Sequence, residues 1–116
     1  MDYVDGFVAP VALADKAAYV RFARQAAVLF REHGATRVVE CWGDDVPPGK
    51  LTSFPLAVQS RSDETVVFSW ITWPSREARD AGMEAFMQDP RMAALGEMPF
   101  DGKRLIFGGF QMVVDA

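Results

Sequence analysis

The stretch Glu64-Thr65-Val66-Val67-Phe68-Ser69-Trp70-Ile71-Thr72-Trp73 decides the fold. β-Branched and aromatic residues fill it, no glycine or proline interrupts it, and Pro74-Ser75 ends it and caps the next helix. Its alternation sends Val66, Phe68 and Trp70 to one side and Val67, Ile71 and Trp73 to the other, so both faces are apolar. A sheet with helices on one side only normally shows polar residues on its other side. The second face therefore demands a further cover.

On the C-terminal side, Ser75 to Asp89 reads as a helix whose small apolar face is Ala78, Ala81, Gly82, Ala85 and Phe86. Pro90 breaks it, and Arg91 to Leu95 has room for one more turn. Leu105 to Val114 is the last strand, with Gly108-Gly109 permitting a bulge. There Leu105 and Phe107 oppose Ile106 and Phe110, so this strand is apolar on both sides too. On the N-terminal side, the loop Asp44 to Pro55, with Pro47-Pro48-Gly49, follows a strand over Ala35 to Gly43. Before that strand lies a helix over Lys16 to His33, capped by Asp15 and stopped by Gly34, with Tyr19, Phe22, Ala26, Leu29 and Phe30 at helical spacing. Tyr3 to Val11 is the first strand, closing at Pro10. The order is βαββαβ, the α+β ferredoxin-like layout: a four-stranded antiparallel sheet with two helices on one face, residues 1–116 forming one domain.

Composition narrows the function classes. A chain of 116 residues and 12.8 kDa, 50% hydrophobic, can fold on its own core, and area scaling gives about 6,300 Å² of folded surface. A net charge of −4 argues against nucleic acid. RNA-recognition modules of this topology also need aromatic and basic residues in a specific pattern on the third strand, which Glu64 to Trp70 does not supply, and acylphosphatase-type chemistry needs an Asn that the chain lacks. One Cys and one His exclude an internal disulfide and a four-ligand zinc site, so no metal and no cofactor are expected. No apolar run is long enough for a membrane span, and Met1 to Asp5 lacks the basic start of a signal peptide, so a cytoplasmic location is expected. Four strands present roughly 400 Å² per face, and covering that area is worth on the order of 10 kcal/mol before association costs. The expected cover is a second copy.

Five strings in order, Tyr3-Val4-Asp5-Gly6-Phe7, Val38-Val39-Glu40-Cys41-Trp42-Gly43-Asp44-Asp45-Val46-Pro47, Glu64 to Trp70, Ser75-Arg76-Glu77-Ala78-Arg79-Asp80 and Met98-Pro99-Phe100-Asp101-Gly102-Lys103-Arg104, resemble the YbaA-like family of small bacterial proteins. The resemblance spans nearly the whole chain and implies a dimeric α/β barrel, two ferredoxin-like sheets packed face to face. It implies no activity and supplies no catalytic residues.

Candidate site residues come from chemistry alone. Glu40 and Trp42 share a strand face, and Asp44 follows at the loop mouth. The plain reading pairs Glu40 with an arginine. The functional one makes it a general base beside an indole, as a cofactor-independent monooxygenase or isomerase would use. His33 ends the first helix, where a cation suits the carbonyl end, with a proton shuttle or an axial haem ligand as its alternative roles. Cys41 reads as a small buried hydrophobe. Trp42, Phe68 and Trp70 are candidates to line a cavity inside the barrel, and Lys103 and Arg104 to clamp an anion. The expected function is binding of a small molecule within the barrel, with the oxygenase or isomerase reading as the alternative.

Overall fold

The computed structural model describes residues 2–116. Strand β1 (Tyr3–Ala12) runs through a single turn of 3₁₀ helix at Leu13–Asp15 into helix α1 (Lys16–Glu32). Strand β2 (Arg37–Trp42), a short helix α2 (Phe54–Ala57) and strand β3 (Glu64–Trp73) come next, then helices α3 (Arg76–Gln88) and α4 (Pro90–Ala94) and strand β4 (Ile106–Gln111). The sheet is antiparallel in the order β2-β3-β1-β4, the ferredoxin-like arrangement the sequence predicts.

Register assigns the two faces. Tyr3 opposes Trp73 and Phe7 opposes Ser69 on the covered face, where Ala9, Val11, Val67, Ile71 and Trp73 pack against α1 and α3. Tyr19, Ala23, Ala26 and Leu29 are the buried stripe of α1, at the spacing read from the sequence. Helix α3 comes so close that a β-carbon on Gly82 would collide with both the His33 carbonyl oxygen and the Trp73 ring. Ser75 caps α3 by accepting from the Ala78 amide at 3.0 Å, and Asp89 caps α4 in the same way from Arg91. Asp15 sits at the N-cap of α1 without a side-chain capping bond, because the preceding 3₁₀ turn already shapes that end.

The other face carries Val8, Val66, Phe68, Trp70, Ile106 and Phe110. The loop expected over Asp44 to Pro55 runs as far as Ser53, where a short helix begins. Ser53 accepts from the Leu56 amide and starts α2, after which Val58 folds onto Val8 and Val66. One end of the open face is thereby sealed, while Phe68 stays 45%, Ile106 44% and Phe110 58% exposed. Cys41, read as buried, is exposed on this face, since β2 is an edge strand and nothing lies over it.

Two strand limits also move. β1 continues past Pro10 to Ala12, because β4 pairs only with Tyr3–Val8 and leaves Pro10 with one strand neighbour, where a missing N–H is tolerated. β4 stops at Gln111 instead of Val114: its partner β1 begins at Tyr3, so Val113 and Val114 have no strand to pair with. The molecule is a slab of 37 × 36 × 22 Å. No helix among the described residues is long and apolar enough to cross a membrane.

Candidate functional site

The chemistry of the covered face begins with Ser69. It stands among Val67, Ile71 and Trp73 on the helix side of β3 and is 4% exposed, so its hydroxyl needs a partner. Glu40, directly opposite in the β2–β3 register, provides one: Ser69 Oγ donates to Glu40 Oε1. Tyr19, in the first turns of α1 and 7% exposed, donates its phenolic proton to the same oxygen at 2.5 Å. Burial first, and the Glu40 charge second, push the Tyr19 phenol well above its usual range, so it remains a donor. Glu40 Oε2 has no protein partner among the described residues. The arginine expected for Glu40 is absent, since two hydroxyls on the buried side reach the carboxylate instead.

Around this carboxylate lies a cleft of about 320 Å³ between α1 and β2, whose walls include Tyr19, Ala23, Arg24, Val38, Glu40 and Trp42. Trp42 is tilted against Tyr19 with ring centroids 6.1 Å apart, and Lys16 Nζ rests 5.6 Å from the Trp42 ring centre.

The other candidates are distributed elsewhere. Phe68 and Trp70 lie on the open face, in contact with each other at 5.6 Å and, for Phe68, with Phe54 at 5.8 Å. They cannot share a cavity with Trp42, because Trp42 opposes Val67 in the β2–β3 register while Phe68 opposes Cys41 and Trp70 opposes Val39, so residues of the same parity in the two strands point to opposite sides. Asp44 has left the strand and lines a separate recess of about 350 Å³ with Val46, Arg61 and Glu64. His33 closes the far end of α1, roughly 20 Å along the axis from Tyr19, and its Nε2 meets Asp89 Oδ2 at 2.8 Å. Lys103 is exposed, and Arg104 is not free to clamp an anion. Its guanidinium donates twice to Glu64 at 2.8 Å, to Asp101 at 3.0 Å and to the Gln59 carbonyl, and this ion pair holds the Glu64 carboxyl down to about 2.

A second polar cluster on the covered face was not singled out in the sequence. Asp5, 6% exposed, accepts from the Trp73 indole at 3.0 Å, and Arg79 Nε lies 3.7 Å from it while Arg79 donates to Tyr3 Oη at 2.9 Å. Burial raises the Asp5 carboxyl above its usual value, against the opposing pull of Arg79. The usable signal for both clusters was a polar residue, Asp5 or Ser69, at a strand position whose neighbours two away are buried and apolar.

The family model described as "Protein of unknown function (DUF1428)" matches residues 2–102. The "Uncharacterized protein YbaA" of Escherichia coli K12 is 56% identical over 116 residues, covering 99% of each chain. Among solved structures, SnoaB, a cofactor-independent oxygenase from Streptomyces nogalater, superposes with a TM-score of 0.61 at 14% identity over 99% of this chain and 97% of its own. A dimeric ferredoxin-like protein from an uncultured marine organism does so at 0.60 and 9% identity over the whole of both chains. At these identities the structural likeness establishes the fold, while the close sequence match establishes kinship: the chain belongs to the family of proteins of unknown function DUF1428.

Proposed function

We propose that this protein binds a small aromatic molecule in the cleft between α1 and β2, and that it does so as a homodimer joined through the open faces of its sheets. The observation that carries the binding reading is Glu40: one carboxylate oxygen is fixed by Tyr19 and Ser69, and the other is left to accept from a guest beside the Trp42 indole. A volume of about 320 Å³ falls within the range of small-molecule sites. The test is a titration of tryptophan fluorescence with simple phenols and naphthols. Saturable quenching is expected, weakened about tenfold in Glu40→Gln, the scale of one hydrogen bond to a charged acceptor. Absence of saturation, or indifference to Trp42→Ala, would refute the reading.

Dimerisation is supported by the surface. The single chain exposes 7658 Å², against the roughly 6,300 Å² expected of a compact monomer of 12.8 kDa, and its exposed strand residues include Phe68, Ile106 and Phe110. Likeness to a dimeric ferredoxin-like protein agrees with this. Light scattering after size exclusion should give twice 12.8 kDa, and a monomer at micromolar concentration would contradict it. The same reading treats residues 1–116 as one domain acting in the cytoplasm, its acidic balance unsuited to nucleic acid.

A second reading is favoured by the same carboxylate. One anchored and one open oxygen suit a general base, and the likeness to an oxygenase that works without a cofactor points to proton removal from a bound, enolisable aromatic substrate by Glu40. Oxygen uptake with a dihydroxynaphthalene, lost in Glu40→Gln, is the expected signature.

A further inference from the structure

The charges around the cleft specify more than its shape does. The chain as a whole is acidic, with a net charge of −4, yet the charged side chains at this cleft are two cations and one carboxylate. Arg24 lines the wall without a carboxylate within 4 Å among the described residues, and Lys16 lies over the Trp42 ring equally unpaired. Other arginines near carboxylates are committed to them: Arg104 holds Glu64, Arg79 faces Asp5, and Arg91 holds Asp89 and Glu32. An arginine with a free planar fork beside an aromatic wall is suited to a carboxylate.

We infer that the guest is an aryl carboxylate that also carries a ring hydroxyl, its acid group met by Arg24 and its hydroxyl by Glu40 Oε2; this rests on the proposal that the cleft is a binding site. Arg24 on α1 and Glu40 on β2 line the same cleft from its two walls, so a guest that meets both needs two separate polar groups. Trp42 offers the flat wall for such a ring, and Lys16 adds positive potential at the cleft's Trp42 end.

The test uses the intact protein and three probes: 4-hydroxyphenylacetate, phenylacetate, which lacks the hydroxyl, and 4-methylphenol, which lacks the acid. Calorimetric or fluorescence titration should rank the first at least tenfold tighter than either of the others. Arg24→Gln, an exposed helix position where the fold is not at stake, should erase the advantage over 4-methylphenol and keep the advantage over phenylacetate. Glu40→Gln should do the reverse, with circular dichroism confirming that both variants fold. Equal binding of 4-methylphenol and 4-hydroxyphenylacetate, or a preference that survives Arg24→Gln, would overturn the inference while leaving the cleft as a binding site. Failure of all three probes to bind would overturn both.

Discussion

The covered and open faces of one sheet are built from alternate residues of the same strands, and they are put to different uses. On the covered face, Val67, Ile71 and Trp73 surround two polar clusters, Glu40 with Tyr19 and Ser69, and Asp5 with Trp73 and Arg79. On the open face, Phe68, Ile106 and Phe110 stand half exposed, and its polar pairs, Thr72 with Thr36 and Glu64 with Arg104, sit towards the two ends of β3. Helices bury the Tyr19 and Ser69 donors of the first face, which fixes the Glu40 carboxylate where it reaches the surface at the edge strand β2 and makes that side suitable for recognition. The second face offers mainly apolar area, which suits association. Apolar character on both faces thus has two separate sources: the core packed under the helices on one side, and the area left for the proposed partner on the other.

The sharpest way to break this comparison is to remove its buried anchor. Trp73 is fully buried and donates to Asp5, so Trp73→Ala removes a large core side chain and leaves a buried carboxylate short of its donor. Those losses sum to about 5 kcal/mol in urea unfolding, a large share of the stability of a domain this size. Trp73→Phe, which retains most of the ring packing, should lose about 2 kcal/mol. A cost below about 1 kcal/mol for the alanine variant would mean that the covered face is not the core.

The open face should answer differently. Phe68 is exposed in the single chain, so Phe68→Asp is expected to separate the proposed dimer without unfolding its subunits. Light scattering would then report 12.8 kDa while the far-ultraviolet spectrum is unchanged. Cys41, on the same face, gives an independent reading. Its thiol should react with a disulfide reagent at least tenfold faster in Phe68→Asp than in the parent. Unfolding of the variant, or equal thiol reactivity, would break the distinction between the faces.

Much of this was legible in the sequence because it depends on local periodicity. Period two in Glu64–Trp73, helical spacing from Tyr19 to Leu29, and Ser75 before Ala78 fix element type without knowledge of the tertiary fold. The grouping of site residues was not legible in that way. Trp42 and Trp70 look equivalent as aromatic residues in neighbouring strands, and only the register, with Trp42 opposite Val67 and Val39 opposite Trp70, sends them to opposite sides. Cys41 and Trp42 alternate by the same rule, yet whether Cys41 is buried depends on what covers the open face, which strand periodicity does not reveal. The Tyr19 and Ser69 hydroxyls join Glu40 across 21 and 29 residues, and such long-range pairing leaves only the trace of a polar residue in a buried position.

The smallest effect belongs to the rim of the sheet, where neither face decides the outcome. Glu64 opens β3 and takes both arms of the Arg104 guanidinium at 2.8 Å, so its carboxyl is held down to about 2 from its usual 4.5. A carboxyl depressed in the folded state adds stability above its unfolded pKa and loses that stability as pH falls through the folded value. The contribution is therefore present at pH 7 and disappears between about pH 4.5 and 2. Because the pair borders solvent, roughly 1 kcal/mol is expected from Glu64→Gln at pH 7, well below the full linkage value. Unfolding curves of the two proteins should differ at neutral pH, converge near pH 2, and draw together at high salt. A difference that persisted at pH 2 would show that Glu64 acts through packing rather than charge, and would move Arg104 from the rim into the core that the covered face defines.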